Sequence, residues 1–328
     1  MTDHDPALPS ADLRFSVIVP TYNRAGMILR AVGSVLASGR DDYEVIVIDD
    51  CSTDDTAAVI EALGDPRVRL VRQAVNRGVC EARNAGIDAA RGRWMVMLDS
   101  DFELLPGGLD RLAARCDAAP ADVGNVTTVC RWDRGPDTPD PTPTESALLD
   151  LPAYLHFIAT RRVSEWFNCY RREVFGVLRY PGGRAYESSF HLAAATRWRF
   201  WMCVDRVVLI HTDATNRITA SAPAALARRQ LRDAADGAAD ADAVLRGWAE
   251  VFRAHEPRML AHYEAQRVTQ HLLAGHRLEA LDALAHASPA LRRSARLGAF
   301  VALGLIGPRA LAYTQTVVAA QLRRLRGG

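Results

Sequence analysis

Two acidic residues, with one residue between them, follow an apolar stretch of the chain that is typical of a buried strand. Residues 94–98 (WMVML) lead directly into Asp99, Ser100 and Asp101. Carboxylates at this spacing can share a hard divalent cation while the cation bridges a diphosphate, or one of them can bind a hydroxyl instead. A solvated turn can carry the same residues, so this DxD motif alone does not distinguish a metal site from a loop.

Three further polar motifs precede the DxD in a fixed order. They are VIVPTYNR at residues 17–24, VIDDCSTD at residues 47–54, and NRG at residues 76–78 followed by ARNAG at residues 82–86. Together with the DxD, these motifs resemble in order and spacing the family 2 inverting glycosyltransferases of the GT-A fold. The resemblance is dense over residues 15–109 and thinner beyond them.

The resemblance implies a site for the nucleotide part of a sugar donor. Pro20 and Tyr22 match the turn that lines the base in this family, and a tyrosine ring there can stack on a pyrimidine. Asp50 matches the residue that hydrogen-bonds the base, as a carboxylate can do with a ring N–H. Arg83 matches an arginine that faces the donor, and its planar, always charged guanidinium suits a diphosphate. A packed aromatic, a helix cap and a surface salt bridge are the structural alternatives.

The resemblance also implies a divalent cation, Mn²⁺ or Mg²⁺. Asp101 then ligates the metal directly, and Asp99 meets the ribose or a metal-bound water. His211 follows an apolar stretch at a position where related sequences often carry a histidine that completes the metal site. A polar group that simply ends a strand is the alternative interpretation of His211.

Inverting transfer needs a base that removes the proton of the acceptor hydroxyl. The family usually supplies it from a Glu-Asp pair at the start of a helix in the second half of the domain. The matching stretch here is YESSFH at residues 186–191, where Ser188 stands in place of the expected aspartate. Glu187 is therefore the predicted base and His191 the fallback. An acid that merely favours the helix dipole is the structural alternative for Glu187.

An open α/β sheet would bring these motifs together. Residues 15–20 and 43–48 are nearly continuous apolar runs, typical of strands buried on both faces of a parallel sheet, with a helical pattern between them. Strands alternate with helices, and polar residues follow the strands. This pattern therefore predicts an α/β fold: a Rossmann-like, mostly parallel sheet with helices on both faces and a ligand at the carboxyl ends of its strands.

The sequence predicts three segments. Residues 1–14 are expected to be a flexible leader, because they lack the basic start and apolar run of a signal peptide. Residues 15–219 form the predicted GT-A domain. Residues 220–328 shift to Ala, Leu and Arg with helical periodicity, which predicts a helical region with helices at 231–252 and 262–284.

The overall composition excludes several classes of protein. The chain has 328 residues, of which 49% are hydrophobic and 24% charged, so it can bury a core and is not disordered. Its 40 basic residues, all arginine, nearly balance 39 acidic ones, and the net charge of +1 does not indicate a nucleic-acid partner. Six scattered cysteines lack metal-like spacing. We expect a cytoplasmic bacterial protein.

We therefore expect a metal-dependent inverting hexosyltransferase of polysaccharide biosynthesis. Its donor is a nucleotide-diphosphate sugar, expected to be a UDP-sugar, and its acceptor a hydroxyl of a glycan, a lipid-linked molecule or a secondary metabolite. Two alternatives stay open: a catalytically silent nucleotide-sugar-binding protein, and a nucleotidyltransferase, whose Gly-rich phosphate loop is absent at residues 20–23. The arginine-rich C-terminal helices fit peripheral contact with the inner face of the cytoplasmic membrane, or a helical lid or dimer element.

Overall fold

The computed structural model describes residues 13–161, 163, 165–182, 187–213, 223–312 and 314–315. Most of the predicted leader, the boundary at residue 220 and the arginines after residue 322 lie outside the described residues. Contacts divide the chain into two compact units. One unit runs to residue 183 and resumes over residues 190–214, and the other comprises residues 184–189 and 215–328.

In the part of the chain that the structure describes, the first unit is built around a sheet of nine strands. Its strands are β1 (Phe15–Thr21), β2 (Tyr43–Asp49), β3 (Val68–Arg72), β4 (Trp94–Met97), β5 (Phe102–Leu104), β6 (Val123–Trp132), β7 (Ala147–Leu149), β8 (Phe167–Arg171) and β9 (Arg199–Ile210). The order across the sheet is β3-β2-β1-β4-β8-β6-β9-β5, and β7 pairs with β9. The first four of these strands run parallel, whereas β8 is antiparallel to both of its neighbours.

Helices cover this sheet. They are α1 (Ile28–Leu36), α2 (Thr56–Glu61), α3 (Val79–Ala89), α4 (Gly108–Ala118), α5 (Leu151–Thr160), α6 (Arg172–Phe175) and α7 (Ser188–Ala195). Every residue of β1 and β2 is buried, as their continuous apolar runs predict. Gly86 lets α3 approach β1 closely, because a Cβ atom at this position would overlap the side chain of Ile18.

The second unit is helical. Its helices are α8 (Pro223–Arg232), α9 (Ala234–His255), α10 (Pro257–Ala274), α11 (Arg277–His286), α12 (Pro289–Arg292) and α13 (Ala295–Ile306). The single helix predicted over residues 262–284 is in fact the end of α10 and most of α11. Gly275 separates them because it adopts a left-handed φ of 84°, which favours glycine and ends a helix. No helix in the described part of the chain has the length and apolar character needed to cross a bilayer.

Candidate active site

Three parallel strands carry the polar motifs to one edge of the sheet. β1 lies between β2 and β4, with Ile18 opposite Ile46 on one side and Met97 on the other. The chain leaves these strands at Tyr22, at Asp50 and at the DxD motif. Because parallel strands end at the same edge, the motifs predicted from the sequence are neighbours in the fold.

Pro20 and Tyr22 lie at the end of β1. Pro20 is buried inside the strand, opposite Ile48 of β2. The β4 pairing extends only to Ile18, so the missing N–H of Pro20 costs no hydrogen bond of the sheet on that side. The side chain of Tyr22 is 41% exposed, which leaves its ring accessible to a planar ligand. Their contact with a nucleotide base stays a prediction.

Asp50 holds the loop that leads into α3. It is 4% exposed, and its two carboxylate oxygens each accept a backbone N–H at 2.8 Å, from Arg77 and from Gly78. Gly78 has a φ of 93°, a conformation that favours glycine, so the turn that presents its N–H depends on that residue. Each carboxylate oxygen has a further lone pair, so Asp50 can hold this loop and still accept an N–H of a base.

Arg83 forms a buried ion pair with the first acid of the DxD motif. Its Nη2 donates to Oδ1 of Asp99 at 2.8 Å, and its side chain is 7% exposed. Its Cζ atom lies 5.6 Å from the centroid of the Tyr180 ring. Burial opposes the positive charge, but the carboxylate of Asp99 and further neighbours keep the pKa of Arg83 above its usual value. Arg83 is thus a fixed cation at the sheet edge rather than a surface residue.

Asp101 and His211 are neighbours because β5 pairs with the end of β9. The backbone N–H of His211 donates to the carbonyl oxygen of Asp101 at 3.2 Å. Nε2 of His211 lies 2.6 Å from Oε2 of Glu103, a hydrogen bond that fixes the orientation of the ring. Among the residues that the structure describes, no three His, Cys, Asp or Glu side chains form a group that could hold a metal ion.

The predicted base and its fallback differ in their surroundings. Glu187 is half-buried and directly precedes α7. His191 lies one turn into this helix, with Nδ1 2.7 Å from the hydroxyl of Tyr170. Burial, with a smaller contribution from Arg83, lowers the pKa of His191 to about 3. An imidazole with that pKa is a weak base near neutral pH, which argues against His191 as the proton acceptor. The role of Glu187 as the base stays a prediction.

Residues 184–189 group with the C-terminal helices, so the segment that carries Glu187 belongs to the second unit. The hydroxyl of Ser188 interacts with that of Tyr263 on α10 and lowers the pKa of Tyr263. The Tyr263 ring stacks on Phe252 of α9, with centroids 5.4 Å apart and planes 3° from parallel. Burial, the larger effect, raises the pKa of Tyr263, and the charge of Asp240 on α9 raises it further. The serine that replaces the expected aspartate thus lies beside a helix of its own unit.

Sequence reasoning missed several of these partners. Asn84, inside the ARNAG motif, binds the backbone of Tyr180 in both directions, at 3.0 Å each. This side chain ties α3 to the loop that precedes residue 183. Its position next to Arg83 in the ARNAG motif is the sequence feature that could have identified Asn84. Glu103 and Tyr263 had no comparable signal, because their partners His211 and Ser188 are distant in the sequence.

Comparison with known proteins gives this arrangement a context. Residues 16–175, just under half of the chain, match the family described as "Glycosyl transferase family 2". The "Succinoglycan biosynthesis protein ExoO" of Rhizobium meliloti is 51% identical over 106 residues, which are 32% of this chain and 30% of that protein. A "GalNAc(5)-diNAcBac-PP-undecaprenol beta-1,3-glucosyltransferase" of Campylobacter jejuni is 37% identical over 113 residues, 34% and 37% of the two chains. These matches span only about a third of each relative.

Solved structures match over much more of the chain. The structure of "S. aureus TarS 1-349 in complex with UDP-GlcNAc" superposes with a TM-score of 0.57 and 19% identity, covering 94% of this chain and 92% of that one. A mannosyltransferase of Pyrobaculum calidifontis, solved "in complex with GDP-Man and Mn2+", gives a TM-score of 0.50 and 21% identity, covering 94% and 87%. At these identities the likeness concerns the fold, and the predicted mixed α/β GT-A fold followed by helices is confirmed.

Proposed function

We propose that the chain, whose residues 16–175 match the model of glycosyl transferase family 2, belongs to that family and is an inverting glycosyltransferase that uses a nucleotide-diphosphate sugar. The observation that carries the proposal is the meeting of Tyr22, Asp50 and the DxD motif at one sheet edge, with Arg83 buried against Asp99. The TarS structure was solved with UDP-GlcNAc. A UDP-sugar is therefore our proposed donor.

The donor is proposed to lie along this edge, with its base at β1 and β2 and its diphosphate at the DxD motif. The exposed ring of Tyr22 stacks on the base, and Asp50 accepts an N–H of the base through a lone pair that the loop does not use. Arg83 holds Asp99 in place and keeps positive charge near the diphosphate.

A divalent cation fits the donor set at the end of the DxD motif. The carboxylate of Asp101 and the imidazole of His211 are both ligands that Mn²⁺ accepts, and Glu103 orients the imidazole. Two protein ligands are sufficient for a cation whose remaining positions are taken by diphosphate oxygens and water. When bound, the cation supplies Lewis-acid stabilisation of the leaving diphosphate.

In the proposed reaction, the acceptor hydroxyl attacks the anomeric carbon from the face opposite the diphosphate. The new carbon–oxygen bond forms as the bond from that carbon to the phosphate oxygen breaks, so the configuration inverts. The hydroxyl proton passes to the carboxylate of Glu187, and the nucleoside diphosphate leaves with the electron pair. Ser188 and Tyr263 hold the start of α7 so that Glu187 is presented in one orientation.

The acceptor is proposed to be a growing saccharide, free or lipid-linked. The matched relatives are named for succinoglycan biosynthesis and for glucosyl transfer to an undecaprenol-linked saccharide. A lipid-linked acceptor would place the enzyme in the cytoplasm at the inner face of the membrane. Each match covers only about a third of this chain, so the acceptor assignment rests on the relatives' names.

A thermal-shift series tests the donor assignment. UDP-, GDP-, dTDP- and CMP-linked sugars are compared with and without Mn²⁺, with free sugars as controls. A ligand present at about 100 times its dissociation constant should stabilise the native state by about 2.7 kcal/mol. We expect the shift with UDP-sugars and Mn²⁺. A shift with another nucleotide corrects the donor, and the absence of any shift contradicts the proposal.

A transfer assay then separates an enzyme from a silent binding protein. The wild-type chain is incubated with the stabilising donor and a panel of saccharide and undecaprenyl-linked acceptors. We expect release of the nucleoside diphosphate and a product of inverted configuration. Donor binding without transfer or hydrolysis across the panel would favour the binding protein, and formation of a nucleotide sugar from a sugar phosphate would favour the nucleotidyltransferase.

A further inference from the structure

Helix α13 is apolar on the face that it buries and also on the face that it exposes. Leu297 and Val301 are 5% and 8% exposed and pack into the core of the helical unit. Gly304 lies close to α10, because a Cβ atom there would come within 2.8 Å of a methyl carbon of Leu272. This side of α13 is an ordinary buried helix face.

On the opposite side of α13, the side chains that the structure describes face solvent and include no charged or hydrogen-bonding group. Its exposed residues are Gly298, Ala299, Ala302, Leu305 and Ile306. Their spacing places them on one face of the helix. The two large side chains are 40% and 76% exposed. An exposed helix face is normally polar, so this face requires an apolar partner.

The charge around this face indicates the kind of partner. Residues 283–328 contain seven arginines and no acidic residue, whereas residues 1–282 contain 33 arginines and 39 acids. Arg292 precedes α13 in the chain and Arg309 follows it. Both are exposed, and neither has a carboxylate partner among the residues that the structure describes. An apolar patch between unpaired arginines matches a surface that is apolar inside and negative outside.

We propose that the exposed face of α13 binds an anionic phospholipid membrane. Leu305 and Ile306 enter the boundary between headgroups and acyl chains, while Arg292 and Arg309 contact lipid phosphates. A second copy of the chain is the less favoured occupant, because a self-complementary interface would bring these arginines together, and residues 283–328 contain no acid to pair with them. The binding needs no nucleotide, so it stands or falls independently of the proposed transfer reaction.

Vesicle sedimentation of the full chain tests this inference. Vesicles of phosphatidylcholine alone are compared with vesicles containing about one third phosphatidylglycerol, at low salt and at about 0.5 M NaCl. We expect binding to the anionic vesicles that weakens with salt. A double Leu305→Gln, Ile306→Gln variant should bind about tenfold more weakly. A double Arg292→Gln, Arg309→Gln variant should lose about as much, and only on anionic vesicles.

Val177→Gln is the matched control. Val177 is a 56% exposed apolar residue of the first unit, and its replacement should leave vesicle binding unchanged. Circular dichroism checks that each variant keeps its helix content. The inference is overturned if the wild-type chain does not bind anionic vesicles. It is also overturned if the Leu305/Ile306 variant binds them as well as wild type does. Light scattering can also detect a dimer. If the wild-type chain is a dimer that does not bind vesicles, and the Leu305/Ile306 variant is a monomer, the face binds a second copy of the chain instead.

Discussion

Two buried carboxylates, Asp50 of the first unit and Asp240 of the second, have different surroundings. Asp50 is 4% exposed and receives two backbone N–H groups. Asp240 is 8% exposed, and its Oδ2 has no hydrogen-bond partner among the described residues. Burial raises the pKa of Asp240 to about 7. The surroundings of Asp50 thus stabilise a charged carboxylate, whereas those of Asp240 stabilise the neutral form.

This difference separates two kinds of polar chemistry. Fixed charges with fixed partners suit the binding of a highly charged donor, because the site does not have to reorganise when the ligand arrives. In the second unit, the residue after the predicted base instead interacts through neutral hydroxyls, those of Ser188 and Tyr263.

The largest effect is expected from Glu187→Gln. General-base assistance typically contributes about 10²–10⁴ in rate, so turnover should fall by that factor while donor affinity stays close to wild type. Glu173→Gln is the matched control, since Glu173 is an exposed acid in the first turn of α6. Steady-state kinetics and a donor titration measure both quantities. Weaker donor binding with turnover preserved would show that Glu187 is structural.

Asp240→Asn should change stability in a pH-dependent way. A carboxyl whose pKa is about 7 when folded and 3.8 when unfolded favours the native state below pH 4 and loses that contribution as pH rises towards 7. Removing the charge should therefore stabilise the helical unit more at pH 8 than at pH 5, by on the order of 2 kcal/mol.

Chemical denaturation at both pH values measures this difference. Asp236→Asn, an exposed acid on the same helix, is the control and should show no such pH dependence. A stabilisation by Asp240→Asn that is the same at pH 5 and pH 8 would mean that Asp240 is ionised or neutral at both, and the contrast between the units would disappear.

Tyr263→Phe tests how the second unit holds the base. Loss of one hydrogen bond of about 0.5–1.5 kcal/mol should lower turnover about two- to tenfold with little change in donor KM. Ser188→Ala should give the same loss. The double variant should be no worse than either single one, because both remove the same bond. Additive losses would show that the two hydroxyls act independently, and Tyr43→Phe, in the first unit, should leave turnover unchanged.

The fold around β1, β2 and β4 was predicted well because the sequence information for these strands is local. The apolar runs of β1, β2 and β4 each end in the polar residues that the fold brings together, so strand register was not needed to place Asp50 and Asp99. Cys51 is the exception in this half. The resemblance implies a glycine at this position, so the cysteine predicts a slightly different turn. Its φ of 63° is the left-handed conformation that glycine adopts freely.

The second half depends on contacts that sequence spacing cannot predict. His211 is oriented by Glu103 through the antiparallel pairing of β5 and β9, across more than a hundred residues. Ser188 meets Tyr263 through the packing of a short segment on the helical unit. The periodicity that predicted one helix over residues 262–284 continues across Gly275, because a single glycine alters direction without altering the apolar pattern.

The smallest expected effect is on the free energy of unfolding, and it concerns the turn at Cys51 after β2. Cys51→Gly should stabilise the chain by about 1 kcal/mol, because glycine adopts a φ of 63° without a Cβ clash. Cys51→Ala is the control: it keeps a Cβ atom and should give no such gain. Denaturant titration at one pH measures both. Destabilisation by glycine would mean that the cysteine side chain contributes more than its backbone strain costs.

Titration calorimetry with UDP and Mn²⁺ tests the central claim most directly, that the DxD edge of the first unit binds the donor through a metal. Wild-type chain should bind UDP in the presence of Mn²⁺ and lose most of that affinity when EDTA is added. Asp101→Asn should abolish the metal-dependent part, because an amide is a poorer ligand for a hard cation. Asp110→Asn, an exposed acid of α4, should bind like wild type. Unchanged metal-dependent affinity in Asp101→Asn would contradict the account.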